Sequence, residues 1–321
     1  MGGHPWAASL WGRVAVGKGS AGRPGTGRHW GGWQTAAVTH RIAITTTDPA
    51  FVYPDPEAHL LAEALSPRGH EAETVAWDAD IGWAAYDLVV VRSPWDYFER
   101  LEEFLGWVDH VADVSRIVNP ATVIRWNSHK GYLAELGEAG VPVLPTLAVP
   151  AGTLDAAAAL AATGWDDVVL KPAVDGGARK SLRAPAASPA ATAHLERLVE
   201  TGDVIVQPYA RGVEDGEVSL LFFGGRLSHA VRKVPAPGDY RVQAHHGGSE
   251  QPHRATAAEL EVAAAALALA PASLTYARAD LIDVDGQPTL MELELIEPDL
   301  FFRADPAALG RLADAVLAEL D

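Results

Sequence analysis

The chain contains no cysteine and only two methionines among its 321 residues. That removes disulfides, thiolate metal sites and a cysteine nucleophile together, and it fits a reducing cytosol. Basic residues are scarce as well: 25 Lys and Arg stand against 42 Asp and Glu, giving a formal charge of −17. A general nucleic-acid or anionic-membrane binder needs a basic surface, so the balance disfavours both classes. No apolar run approaches the roughly 20 residues of a membrane span. The best stretch, Val262 to Ala270, is Ala-rich and stopped by Pro271, and it reads as a core helix.

The first 40 residues lack Asp and Glu altogether, carry Arg13, Lys18, Arg23 and Arg28, and are rich in glycine. They also lack the apolar core of a secretory signal and read as a disordered or adventitious extension, 1–40. Gly17 to Gly22 matches the dinucleotide pattern G-x-G-x-x-G, but the glycines and proline that follow forbid the helix it needs. Gly12 to Gly19 falls one residue short of a P-loop, with Gly19 where a metal-binding hydroxyl belongs. Both are chance matches.

From Arg41 the pattern is globular. Strand-type runs at 41–47, 73–77 and 88–91 with a helix at about 57–65 predict a parallel, Rossmann-like lobe, which binds ligands at the carboxyl ends of its strands. Helical periodicity follows at 104–114. A further helix is expected to start near Asn127, with Ser128 as its cap, and to end at Gly140. Strands at 167–172 and 203–209, a hairpin over 218–231 and a helix over about 257–270 complete the coarse reading.

The most telling stretch is the hairpin Arg278 to Pro298. In Met291-Glu292-Leu293-Glu294-Leu295 the alternation sends both glutamates to one face. Asp280 lies in the preceding strand, across Asp285-Gly286. A three-residue loop, 284–286, would put Asp280 on that same face, whereas a two-residue loop at Asp285-Gly286 would turn it away. Three carboxylates on one face repel unless a cation sits among them, and oxygen-only ligands suit Mg²⁺. A solvated acidic face is the competing reading.

Only five residues are lysine, against 20 arginines. Beyond Lys18, they mark element edges: Lys130 at a helix start, Lys171 at a strand end, Lys180 after a glycine turn, Lys233 after a strand. Lysine is a compact point charge suited to phosphate oxygens. Lys130, the run 169–172 with Gly176-Gly177, the segment Gln207-Pro208-Tyr209-Ala210, the run 238–241 and Asp280…Glu292-x-Glu294 resemble, in order and spacing, an ATP-grasp ligase over about residues 41–321. The resemblance implies α/β and α+β architecture: a Rossmann-like pre-ATP-grasp substrate domain (41–127), a small ATP-grasp lobe (128–206) and a C-terminal lobe with the metal site (207–321).

It further implies ATP and Mg²⁺, two ions, as cofactors. Lys130 and Lys171 would meet ATP phosphates, with Gly176-Gly177 as a mobile cover. Gln207, Pro208, Tyr209 and Ala210 would hold adenine and Glu217 the ribose. Arg241, helped by Lys233, would stabilise the transferred phosphoryl group. Asp280, Glu292 and Glu294 would hold metal, although the family commonly ends this motif with Asn where Glu294 stands. A small amino-acid-like substrate would meet Arg92, Ser93, Trp95, Asp96 and Tyr97, with Tyr53, Asp55 and the backbone at Gly247-Gly248. The strings 92–97, 237–241 and 291–294 resemble the subgroup that includes D-cycloserine-forming cyclo-ligases, which close O-ureido-D-serine. The reading is a cytoplasmic ligase working through an acyl-phosphate, with no nucleic-acid or membrane partner. An intermolecular amino-acid or peptide ligase and a nucleotide-binding regulator without turnover stay open as alternatives.

Overall fold

The computed structural model describes residues 38–48 and 55–321. The glycine motifs of the extension and Tyr53 lie outside the described residues. Strands β1 (Arg41–Thr46), β2 (Glu71–Ala76), β3 (Leu88–Ser93) and β4 (Arg116–Val118) form a parallel sheet in the order β2-β1-β3-β4. Parallel sheets need cover on both faces. Ile42, Ile44, Leu88 and Val90 pack with the helices Ala58–Leu65 and Ala308–Leu317. On the other face Ala43, Val89 and Val91 pack with Trp77, Trp83, Phe104 and Trp107, so these tryptophans are core.

The second sheet is antiparallel: β5 (Leu147–Val149), β6 (Asp167–Pro172), β7 (Leu182–Pro185) and β8 (Val204–Pro208), in the order β5-β8-β6-β7. Val168 and Leu170 of β6 are fully buried under the helices Ala156–Thr163 and Pro189–Val199. The period of two therefore turns Val169 and Lys171 to the opposite face, where they line a cavity.

Five antiparallel strands make the third sheet: β9 (Glu217–Phe223), β10 (Arg226–Val234), β11 (Ser249–His253), β12 (Tyr276–Val284) and β13 (Gln287–Glu294), ordered β11-β10-β9-β12-β13. Leu220, Ala277, Ala279, Leu281 and Leu293 pack beside the helices Tyr132–Glu138 and Ala257–Leu267. β13 is an edge strand, and side chains close its outer edge. Asn127 donates to Leu293 O and accepts from Leu295 N, at 2.9 and 2.8 Å. The Tyr132 hydroxyl donates to Leu293 O and accepts from Leu293 N. Leu290 accepts from Leu144 N at 2.9 Å and donates its N–H to Pro142 O at 2.8 Å. An edge tied down this way presents Glu292 and Glu294 from fixed backbone.

Two local expectations change. Ser128 does not start a helix. A helix opens earlier at Ala121, just after Pro120, and Ser128 closes it, its hydroxyl donating to Arg125 O at 2.9 Å. Lys130 then sits in the turn before Tyr132–Glu138, its N–H donating to Ala173 O of the glycine loop. The hairpin turn is the two-residue one, Val284 pairing with Gln287, with both Asp285 (φ 54°) and Gly286 (φ 82°) left-handed. Asp280 nevertheless faces Glu292, because the register shifts between Asp280 and Leu281: Leu281 pairs with Leu290 and Asp280 with Glu292, leaving Met291 as the extra residue of a bulge.

Candidate active site

A cavity of about 650 Å³ opens among the three sheets. Of the residues expected to bind ATP, substrate or metal, Lys130, Lys171, Gly176, Gly177, Gln207, Pro208, Tyr209, Ala210, Glu217, Lys233, Arg241, Trp95, Tyr97, Asp280, Glu292 and Glu294 all line it.

Its charged floor is a set of cross-strand neighbours. The ladders pair Lys233 with Glu217, Ser219 with Asp280, Asp280 with Glu292 and Arg278 with Glu294. Asp280 is 3% exposed. It accepts from Arg278 at 2.9 and 3.0 Å, from Lys233 at 3.0 Å and from the Ser219 hydroxyl at 2.6 Å. Burial would raise its pKa, but Arg278 and Lys233 outweigh burial and hold the carboxyl well below the ordinary range. Lys233 also pairs closely with Glu217, and burial nonetheless pushes that carboxyl up to about 7. Arg278 reaches Glu294 in a short contact. Its guanidinium is already shared with Asp280, so burial and the surrounding carboxylates push Glu294 up to about 8.

Glu292 meets Lys130 at 2.8 Å and Lys171 at 4.0 Å. Burial opposes its charge, but the two ammoniums prevail and its pKa is lowered. For Lys130, burial is likewise outweighed by Glu292 and the pKa rises. For Lys171, burial wins over the more distant Glu292 and the pKa falls. Lys130 Nζ also donates to Asp175 O at 2.8 Å, tying the lysine to the glycine loop. That loop docks on the first sheet's side of the cavity: Arg179 stacks 4.2 Å from the Phe98 ring and donates to Glu99 at 3.1 Å.

At the other end, the Gln207 amide turns away to Thr146 at 2.9 Å, so β8 offers backbone to the cavity. Arg183 lies 3.3 Å from the Tyr209 ring centroid. Arg241 is anchored on Asp239 at 2.8 Å.

Several expected substrate contacts lie outside the cavity. β3 runs on to Ser93, so Arg92 and Ser93 are buried strand residues, not loop. Arg92 donates to Pro298 O at 2.7 Å and pairs with Asp55 at 3.4 Å; Ser93 donates to the Thr46 hydroxyl. Asp96 accepts from the Trp77 indole and pairs with Arg100. Arg92, Asp55, Ser93 and Asp96 thus brace the wall that carries Trp95 and Tyr97. Gly247 and Gly248 do not line the cavity either. They shape the 242–248 loop: a Cβ on Gly248 would stand 2.0 Å from Val242 O.

Sequence reasoning missed Arg278, Glu297 and Asp299 as cavity residues. The first has a legible signal, since Arg278 precedes Asp280 by two and must share its face. Eight carboxylates line the cavity: Asp175, Glu217, Glu250, Asp280, Glu292, Glu294, Glu297 and Asp299. Among the described residues, all except Glu297 have an Arg or Lys nitrogen within 4.0 Å.

Those internal pairings bear on metal. Among the described residues no group of three His, Asp or Glu stands ready as a metal cage, because Arg278, Lys233 and Lys130 already hold the carboxylates. The donor chemistry still fits: Asp280, Glu292 and Glu294 share one face, offer only oxygen, and crowd enough negative charge to raise Glu294.

Residues 42–119 match the D-cycloserine synthetase DcsG N-terminal domain, and residues 153–299 match the prokaryotic glutathione synthetase ATP-grasp domain. The cycloserine biosynthesis protein DcsG of Streptomyces lavendulae is 36% identical over 297 residues, 87% of this chain and 99% of its own. A crystal structure of D-cycloserine synthetase DcsG superposes with a TM-score of 0.78 at 33% identity, covering 88% of this chain and 100% of that one. D-alanine–D-alanine ligase from Bacillus anthracis shares the fold at 14% identity and a TM-score of 0.65, covering 88% and 97%. ATP-grasp enzymes generally use ATP and Mg²⁺. With that cavity and these relatives, the chain belongs to the D-cycloserine synthetase family of ATP-grasp enzymes, which are ATP-dependent C–N ligases.

Proposed function

We propose that the chain closes O-ureido-D-serine to D-cycloserine in the cytoplasm. The observation that carries the chemistry is the convergence of Lys130, Lys171, Arg278 and Lys233 on Asp280, Glu292 and Glu294 within one cavity. Such a floor suits polyphosphate and metal together. Lys130 and Lys171 would release Glu292 to hold phosphate oxygens, and β8 backbone with Tyr209 and Ala210 would hold adenine. Asp280, Glu292 and Glu294 would hold two magnesium ions, which supply charge neutralisation on the phosphates. The glycine loop, latched through Arg179, would exclude water.

The substrate carboxylate attacks the γ-phosphorus and ADP leaves, giving an acyl-phosphate. The nitrogen of the ureido-oxy group then attacks the acyl carbon. A C–N bond forms, the C–O bond to phosphate breaks, and the nitrogen loses its proton to solvent; water then cleaves the bond between the ring nitrogen and the carbamoyl carbon, releasing carbon dioxide and ammonia and leaving N–H on the five-membered ring. Arg278, Lys233 and Arg241 would stabilise negative charge on the transferring phosphoryl group and on the acyl oxygen. The relative's name, cycloserine biosynthesis protein, favours this substrate over an intermolecular pair. The test is ADP release with Mg-ATP and O-ureido-D-serine, with the product read by mass. ADP at the rate seen without substrate, or ADP with no ring product, overturns the cyclisation reading.

A further inference from the structure

Glu297 stands apart from the other carboxylates of the cavity. Among the described residues, seven of the eight have a cation of the chain within 4.0 Å and Glu297 does not. It is nevertheless held firmly. The Trp95 indole donates to its backbone carbonyl at 3.0 Å, and Tyr97 lines the cavity with it. Burial pushes its pKa up to about 7, with Lys130 acting only from a distance and Glu292 opposing it. A carboxylate kept in a half-buried wall with no counter-ion of its own is completed by a cation that arrives with a ligand. The surroundings fit a small organic cation: Trp95, Tyr97 and Phe98 line the same side of the cavity. The position fits as well, because Glu297 lines the same cavity as Lys130 and Glu292 of the charged floor.

We propose that Glu297 binds the α-ammonium group of the amino acid whose carboxylate is phosphorylated. An α-ammonium lies one carbon from its carboxylate, so a carboxylate on the phosphoryl site brings the ammonium within reach of this wall. The assignment rests on the ligase reading above and specifies which end of the substrate faces the first sheet.

The test compares wild type with Glu297→Gln, which keeps the shape and removes the charge. Substrate is O-ureido-D-serine or its analogue with hydrogen in place of the α-amino group. Loss of a charge-assisted contact raises the KM for the amino substrate roughly 10- to 100-fold. The KM for ATP and the magnesium dependence should move less than about twofold. The preference of wild type for the amino substrate should collapse in Glu297→Gln. Tyr97→Phe, which keeps the ring on this wall and removes its hydroxyl, should give a smaller shift in the same direction. An unchanged preference between the two substrates overturns the proposal, and so does a weakened magnesium dependence, which would mark Glu297 as a metal ligand. If wild type turns over neither compound, the ligase substrate is wrong, and the ammonium site is read separately by thermal shift with Mg-ADP and D-serine against D-glycerate. Stabilisation by D-serine in wild type but not in Glu297→Gln supports it; equal shifts in the two proteins, or none, overturn it.

Discussion

Asp280 holds the floor of the cavity together before any ligand binds, and its removal should unfold the site. In Asp280→Asn the Arg278 and Lys233 cations, both under a tenth exposed, lose their common counter-charge. The new amide can still accept from Ser219 through one oxygen. Its nitrogen, however, replaces the oxygen that now accepts from Lys233 at 3.0 Å and Arg278 at 2.9 Å, so donors face donors. Breaking a buried ion pair by removing one partner costs about 3–5 kcal/mol. At about 2–4 °C per kcal/mol for chains of this order of length, that lowers Tm by roughly 6–20 °C. Differential scanning fluorimetry in EDTA, with no nucleotide, reads this cohesion separately from catalysis. Glu294→Gln is the control: burial and neighbouring carboxylates hold Glu294 up at about 8, so neutralising it should change Tm by under about 2 °C. Both variants should lose activity. An Asp280→Asn protein melting within 2 °C of wild type would refute the network as a source of stability.

Lys171→Met should raise the KM for ATP at least tenfold by initial rates while leaving Tm level or higher, because Lys171 is a buried ammonium 4.0 Å from its nearest carboxylate partner. Gly212→Ala should cost about 1–3 kcal/mol of stability and weaken ATP binding, because its Cβ would stand 1.8 Å from Asp283 O beneath the segment joining β8 to Glu217; isothermal titration with ATP and a melting curve check both. Glu259 caps the helix Ala257–Leu267, accepting from Thr256 N and His253, and these bonds outweigh burial to lower its pKa. A lowered acid stabilises the fold above its unfolded pKa, about 4.3, and the benefit fades as pH falls through the lower folded value. The Tm gap between wild type and Glu259→Gln should therefore be full at pH 6 and close towards pH 3; a gap constant over that range would refute it.

The parts of the site legible in the sequence were those set by local periodicity. Alternation in β6 turns Lys171 from the core, and alternation in β13 puts Glu292 and Glu294 together. Register was not legible. The turn has two residues, which by parity alone would send Asp280 to the far face, and the bulge at Met291 reverses that outcome. Nothing in Met291 marks it as the extra residue, because a bulge is chosen by how both strands pack. Arg92 misled for a related reason. It follows a hydrophobic strand, where ligand contacts are expected, but the strand extends two residues and the arginine serves Pro298 O and Asp55 instead. The isolation of Glu297 is a tertiary property: its neighbours in sequence show no sign that, among the described residues, every other cavity carboxylate has an Arg or Lys nitrogen within reach.

These internal pairings bear on how the site is loaded. Glu292 is held by Lys130 and Lys171, and Asp280 and Glu294 by Arg278. A divalent ion entering alone must displace ammonium or guanidinium groups that would then lack partners in a buried place, at a cost of several kcal/mol. Nucleotide phosphates change the exchange, since they accept the lysines and leave Glu292 free. Magnesium without nucleotide should therefore stabilise the protein little, and magnesium with ADP should stabilise it by more than the separate shifts added together. At a ligand concentration 100 times Kd the stabilisation is about 2.7 kcal/mol, a Tm rise of several degrees. Lys130→Met removes the closest internal counter-ion of Glu292, so this variant should bind magnesium more readily in the absence of nucleotide than wild type does. A thermal-shift titration of both proteins with magnesium alone, then with ADP present, reads the effect. A wild-type shift with magnesium alone as large as that with both ligands would show that the lysines do not restrain the carboxylates, and self-neutralisation would fail as the account of this floor.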